Sequence, residues 1–192
     1  MSNMSNMQTT TSLPAYLLAT VEKQELTSIL GKLKDVAYIN WFGSASGRFD
    51  LVATFKGNDI QKTDAAIRAI TGVVSTNAMV PFEGRSNPRA DDQRATGQMF
   101  LSVDRPTQEV IQSLKNVTGV TEALAISGQW EIPTETSHRV RSSQRWHPWE
   151  ILVTVRGQNY EEILGKAVAE ISQISAVRNG ETTFVYKPTV AS

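Results

Sequence analysis

The chain writes one phrase twice. GRFDLVATFKGND at residues 47–59 returns as HPWEILVTVRGQN at 147–159. Aligned one to one, Phe49 meets Trp149, Asp50 meets Glu150, Leu51 meets Ile151, Thr54 meets Thr154, Lys56 meets Arg156 and Gly57 meets Gly157. Size, charge and β-branching persist where identity does not, which marks an internal repeat rather than a chance match.

Periodicity carries the repeat through the rest of the chain. AYLLATV from Ala15 predicts a strand, and Leu26, Ile29, Leu30 and Leu33 recur at helical spacing behind Glu25. VAYINWF (36–42) and FDLVATFK predict two more strands around the turn SASG. Asp59 can cap a helix carrying Ile60, Ala65, Ala66, Ile67 and Ile70, which Gly72 ends before the strand VVSTNAMV. The second half has the same order: QMFLSV, a helix opened by Pro106 and Thr107, strands GVTEALAIS (119–127) and WEILVTVR, a helical stripe from Tyr160 to Ile171, and VRNGETTFVY (177–186). Its second helix is longer by about one turn. The expected organisation is a disordered leader at 1–14, a first unit at 15–82, a linker at 83–97 rich in charge, Gly and Pro, and a second unit at 98–188. The second unit carries an insertion at about 128–148 where the first has a short turn.

Each unit has the ferredoxin-like order βαββαβ, an antiparallel sheet with two helices on one face. The other face would be left bare, and stacking the two sheets buries both. The fold class expected is therefore α+β: tandem ferredoxin-like repeats forming an internal, pseudo-dimeric α+β barrel. Strand alternation places Phe49, Leu51, Ala53 and Phe55, and likewise Trp149, Ile151, Val153 and Val155, beneath the helices. Asp50, Thr54, Glu150 and Thr154 then point between the sheets. A carboxylate and a hydroxyl there suit a polar cleft that pairs with an ammonium group; alternatively, Asp50 and Glu150 sit at strand ends and cap a turn. Val73 to Pro81 and Val177 to Tyr186 are candidate edge or exchange strands, and Asn179-Gly180 suggests a bulge.

Nineteen basic residues balance nineteen acidic ones, so no global field draws the chain to nucleic acid or an anionic membrane. The absence of cysteine excludes disulfides, thiolate metal sites and cysteine nucleophiles. No apolar run approaches the roughly 20 residues that span a bilayer, and the polar opening lacks the form of a signal peptide. A soluble, cytoplasmic protein is expected.

SGRFDLVATFKGND followed by GVVSTNAMV resembles the effector-binding domain of the Lrp/AsnC transcription regulators. That family's domain carries a Gly-x-Tyr/Phe-Asp turn between two strands and ends in a Gly-Val-x-x-Thr strand. In the first unit the resemblance spans residues 15–82 and rests on Gly47, Phe49, Asp50, Gly72, Val73, Ser75 and Thr76. The second unit matches the order of elements with Trp149, Glu150 and Val177, and departs from the pattern at His147, Glu150 and Gly180. The resemblance implies a dimeric α+β barrel binding a small effector, an amino acid, at the interface between domains. It makes Gly47, Arg48, Asp50 and Thr76 ligand-binding candidates; Thr54, Ser75, Glu150 and Thr154 join them from their places on the repeated strands. The family's regulators also carry a helix-turn-helix domain, for which the leader at 1–14 is too short, so DNA binding by that route is not expected. The implied partners are the effector and further copies of the chain or a partner regulator; no cofactor is expected.

The insertion holds both histidines, His138 and His147, with Trp130, Trp146 and three arginines. Their spacing fits no standard metal-ligand pattern, and a solvated hairpin or binding lid is the favoured reading. The same barrel architecture also carries small enzymes, monooxygenases among them. No serine, histidine and aspartate arrangement and no phosphate-binding glycine loop is present, so a binding module is expected ahead of an enzyme or a purely structural assembly protein.

Overall fold

The computed structural model describes residues 13–56, 60–86, 95–127 and 149–190. Strand β1 (Pro14–Val21) leads through a tight turn at Lys23–Glu25 into helix α1 (Leu26–Leu33). Strands β2 (Ile39–Ala45) and β3 (Leu51–Lys56) follow, then helix α2 (Ile60–Arg68) and the long strand β4 (Val73–Ser86). The second half runs β5 (Ala95–Val103), α3 (Thr107–Leu114), β6 (Val120–Ser127) and β7 (Ile151–Gly157). Helix α4 comprises Tyr160–Glu162, a π-helical stretch Ile163–Val168 and Ala169–Ser172, and β8 (Val177–Val190) ends the described chain. Asn159 starts α4 by accepting the Glu162 N–H at 2.8 Å. None of these helices is long and apolar enough to cross a membrane.

The strands close into one antiparallel barrel in the order β1-β3-β2-β8-β5-β7-β6-β4. Closure is the work of the two long strands. β4 pairs with β1 as far as Met79, then with β6 from Val80 to Ser86. β8 pairs with β5 up to Val185, then with β2 through Val190. Neither Val73 to Pro81 nor Val177 to Tyr186 is therefore an edge, because the opposite half takes the backbone groups an edge would expose. The same crossing extends β4 and β5 into the stretch read as a linker. At the β4–β6 seam the backbones approach closely: a Cβ on Gly84, whose φ is +142°, would lie 2.3 Å from the Ala123 carbonyl oxygen.

The core has three parts. Leu17, Leu51, Ala53 and Phe55 pack beneath α1 and α2 with Ile29, Leu33 and Ile67. Leu101, Val153 and Val155 do the same beneath α3 and α4 with Val110, Leu114 and Ile171. The third part fills the barrel itself and includes Tyr16, Trp41, Val52, Phe100, Leu124 and Leu152. Phe49 belongs to this inner cluster and Trp149 packs against it, which corrects the placement of both beneath the helices. They precede the first regular residues of their strands, Leu51 and Ile151, so alternation does not reach back to them.

Candidate functional site

Alternation from the inner apolar residues decides which polar side chains face the lumen. Leu152 and Val52 point inward, and so do Thr154 and Thr54; Phe100 brings Gln98 with it, Val185 brings Thr183, and Met79 brings Asn77. Register joins several of them into one row across neighbouring strands. Thr183 pairs with Gln98, Gln98 with Thr154, Thr154 with Glu122 and Glu122 with Ser86.

Glu122 reaches this row through a bulge. Val120 packs towards the helices, and plain alternation would send Glu122 the same way. The register slips between them: Val120 faces Val155 while Glu122 faces Thr154, so Thr121 is the extra residue and Glu122 turns inward. β2 slips at the corresponding place, between Ile39 and Trp41, and turns Trp41 into the lumen.

Glu122 is the one charged residue that is buried among the described residues. Its carboxylate accepts hydrogen bonds from the hydroxyls of Tyr16 and Ser86 and, at 2.7 Å, from Thr154. Tyr16 and Ser86 come from the first half and Thr154 from the second, so this one carboxylate ties the halves together. Burial above all, and then the Glu122 charge, push the Tyr16 hydroxyl well above the ordinary phenol range, so it is a donor. Arg156 opposes that shift in smaller measure.

Beside this satisfied network lie buried polar atoms with no hydrogen-bond partner among the described residues. Both ends of the Gln98 amide are among them, with Gln98 fully buried, as are the hydroxyls of Thr183 and Thr54 and the Asn77 carbonyl oxygen. Buried polar groups in native proteins are almost always paired, with protein, water or ligand. A full amide and two hydroxyls facing one lumen therefore mark a place where a polar guest can complete the bonding.

Asp50 and Glu150 play matching parts at the ends of the central strands. Where β4 gains the extra residue Val74, the Val21 N–H donates to Asp50 at 3.0 Å; where β8 gains Arg178, the Val103 N–H donates to Glu150 at 2.7 Å. Both carboxylates thus sit at strand ends, as the second alternative had it, but each bonds a neighbouring strand opposite a bulge rather than capping a turn. Thr54 and Thr154 lie in the lumen as expected from alternation. Thr76 instead donates to Asp64 of α2, on the helix side, and half-buried Ser75 faces Thr20 in the ladder. Gly47, in the left-handed region at φ +92°, lies at the barrel rim: a Cβ there would sit 3.8 Å from the Thr183 hydroxyl. Ser46 pins that turn to β8, donating its N–H to the Phe184 carbonyl and accepting the Phe184 N–H. Arg48 is exposed and stands over the Phe49 ring, its guanidinium carbon 5.9 Å from the centroid. His138, His147 and the rest of 128–148 lie outside the described residues. Among the described residues no cluster of His, Asp or Glu is arranged to hold a metal ion.

Sequence reading missed Tyr16, Gln98, Glu122 and Thr183. A signal was present for the first three, each a lone hydrogen-bonding side chain in a short apolar run: AYLLA, GQMFL and EALAI.

No protein-family model matches the chain, and no curated protein matches it. Solved structures do. The siroheme decarboxylase NirDL in co-complex with an iron-uroporphyrin III analogue aligns at TM-score 0.62 and 11% identity, over 92% of this chain and 72% of that one. A second structure of NirDL aligns at TM-score 0.59 and 12% identity, with the same coverage. A protein of Lactobacillus acidophilus NCFM, solved as a candidate monooxygenase, aligns at TM-score 0.50 and 7% identity, over 93% of this chain and 96% of that one. At such identities the likeness shows the fold alone: α+β, with an antiparallel sheet and four helices, of the dimeric α+β barrel type.

Proposed function

We propose that this chain is a small-molecule-binding module in which two ferredoxin-like units, fused in tandem, form within one chain the barrel that Lrp/AsnC effector domains form between two. The effector class implied by the resemblance is an amino acid, and its place is the lumen against β5, β7 and β8. The observation that carries the reading is Gln98: a completely buried amide with donor and acceptor both unpartnered, beside the equally unpartnered Thr183. Thr154 lines the same wall, Thr54 holds the mirrored place in the first half, and Gly47 stands at the rim near Thr183 with Arg48 and Asp50 following it in the chain. Glu150 holds the equivalent bend in the second half, while Thr76 ties β4 to α2 through Asp64 and Ser75 faces Thr20 across the ladder. Binding stabilises the closed barrel, and the output is regulatory, through assembly with further copies or with a partner protein.

A thermal-shift panel of the common amino acids on the full chain tests this, with Gln98→Leu and Asp50→Ala alongside. A ligand present at about a hundred times its Kd adds about 2.7 kcal/mol to apparent stability, a rise of several degrees. The expected result is such a rise with one class of amino acid, lost in Gln98→Leu. No rise with any of them, or an equal rise in the unsubstituted chain and Gln98→Leu, would sink the amino-acid reading.

A further inference from the structure

We infer that the group recognised on the β5 wall is a neutral, planar amide, either a primary carboxamide or a lactam edge, carried on an apolar body and bound once per chain. This rests on the lumen being the binding site.

The Gln98 side chain presents an N–H donor and a carbonyl acceptor side by side, rigidly coplanar, and neither has a partner among the described residues. The partner that satisfies both at once offers the mirror image, an acceptor next to a donor, which is another amide edge. A carboxylate would accept from the Gln98 N–H but leave its carbonyl facing a second acceptor. An ammonium group would do the reverse. Charge does not separate acid from amide: Glu122 is in the same row, one strand beyond Thr154, but Arg156 follows Thr154 on the same face of β7, so the choice rests on the paired donor and acceptor of Gln98. The Thr183 hydroxyl, opposite Gln98 in the ladder, supplies a further bond as donor or acceptor.

The apolar body has its own surface. Phe100 follows Gln98 on the same face of β5, and the rings of Phe49 and Trp149 each stand 6.5 Å from it. An amide group on Gln98 would therefore carry its attached ring or chain towards these aromatics.

Single occupancy follows from the register. In the first half Tyr16 occupies the place of Gln98, since they face Thr54 and Thr154 respectively. By the same pairing Trp41 stands where Glu122 does, and Met79 where Thr183 does. Large side chains thus fill the half of the lumen that mirrors the polar wall. The repeated halves have kept one site between them.

Two matched pairs test the inference on the full chain: benzamide against benzoate, and phenylacetamide against phenylacetate. Affinity and stoichiometry come from calorimetry, and contact from saturation-transfer NMR. The expected result is one amide bound per chain, with the matching acid at least about tenfold weaker, as is usual when a buried polar group loses its partner. Gln98→Met should erase the preference, and Thr183→Val, the milder change in case the first fails to fold, should weaken the amide several-fold. Equal affinity for amide and acid, two ligands per chain, or binding indifferent to both variants would overturn the inference. Should an amino acid bind at Gln98 without any amide preference, the inference fails and the module reading stands. Should no amide, acid or amino acid bind, both fail.

Discussion

The hydroxyl of Tyr16 donates to the carboxylate of Glu122, a residue 106 positions further along the chain. Tyr16 belongs to the first strand of one half and Glu122 to the second strand of the other, so the bond exists only in the closed barrel. The same carboxylate also holds two of the polar wall's hydroxyls, Thr154 and Ser86, away from Gln98. The satisfied network and the open amide are two sides of one arrangement.

Tyr16→Phe removes a donor while leaving Glu122 buried. The expected loss is about 1–3 kcal/mol of folding stability, the usual cost of an unsatisfied buried partner. Urea denaturation of Tyr16→Phe, Glu122→Leu and the double variant checks it. The double variant should lose clearly less than the sum of the single losses, because the second change removes a group already orphaned by the first.

Alkaline stability follows from the same bond. The folded state holds the Tyr16 proton more tightly than the unfolded chain does, so the stability it contributes is complete below the ordinary phenol value of 10.0 and is lost as pH rises beyond it. Melting temperatures measured from about pH 8 to pH 11 should fall steeply above pH 10, by up to about 1.4 kcal/mol per pH unit for a single proton. Tyr16→Phe should remove most of that slope. An identical slope in both proteins would contradict the assignment.

Asp50→Ala and Glu150→Ala each strip the acceptor from a bulge N–H, at Val21 and Val103. Each should cost about 1–2 kcal/mol. The bulges are separate, so the losses should add. Asp50→Asn and Glu150→Gln keep an acceptor oxygen and should retain most of the stability. Denaturation curves for the four single variants and the double Ala variant settle this; Asn and Gln replacements as costly as Ala would contradict it.

Gly84→Ala probes the seam that closes the barrel. The added methyl meets the Ala123 carbonyl oxygen, backbone that has no rotamer to escape into. A loss of about 1–3 kcal/mol is expected. Faster hydrogen exchange at the amides joining β4 to β6, beyond that at β1, would locate the damage at the seam.

What was legible in the sequence was whatever alternation and repetition encode directly. Leu51, Ala53 and Phe55, with Ile151, Val153 and Val155, lie beneath the helices as their period requires. Thr54 and Thr154 face inward for the same reason. Glu122 was hidden because a one-residue bulge at Thr121 inverts the alternation just before it. Nothing in VTEALAI states where a ladder will slip. The extent of β4 and β8 was hidden too, since a strand that changes partner midway needs a neighbour supplied by the other half. Asp50 was legible as a recurring carboxylate, yet its bond to the Val21 N–H depends on the bulge at Val74.

The most direct measurement is a crystal structure of the full chain, at a resolution that distinguishes the amide ends through their contacts, grown with the amino acid or amide that gives the largest thermal shift. The account predicts one small molecule per barrel, bonded to both ends of the Gln98 amide, with Thr183 in contact and Glu122 still held by Tyr16. A Gln98 side chain bonded to Thr154 and Thr183 with no space between, or ordered water alone on its amide, would contradict it.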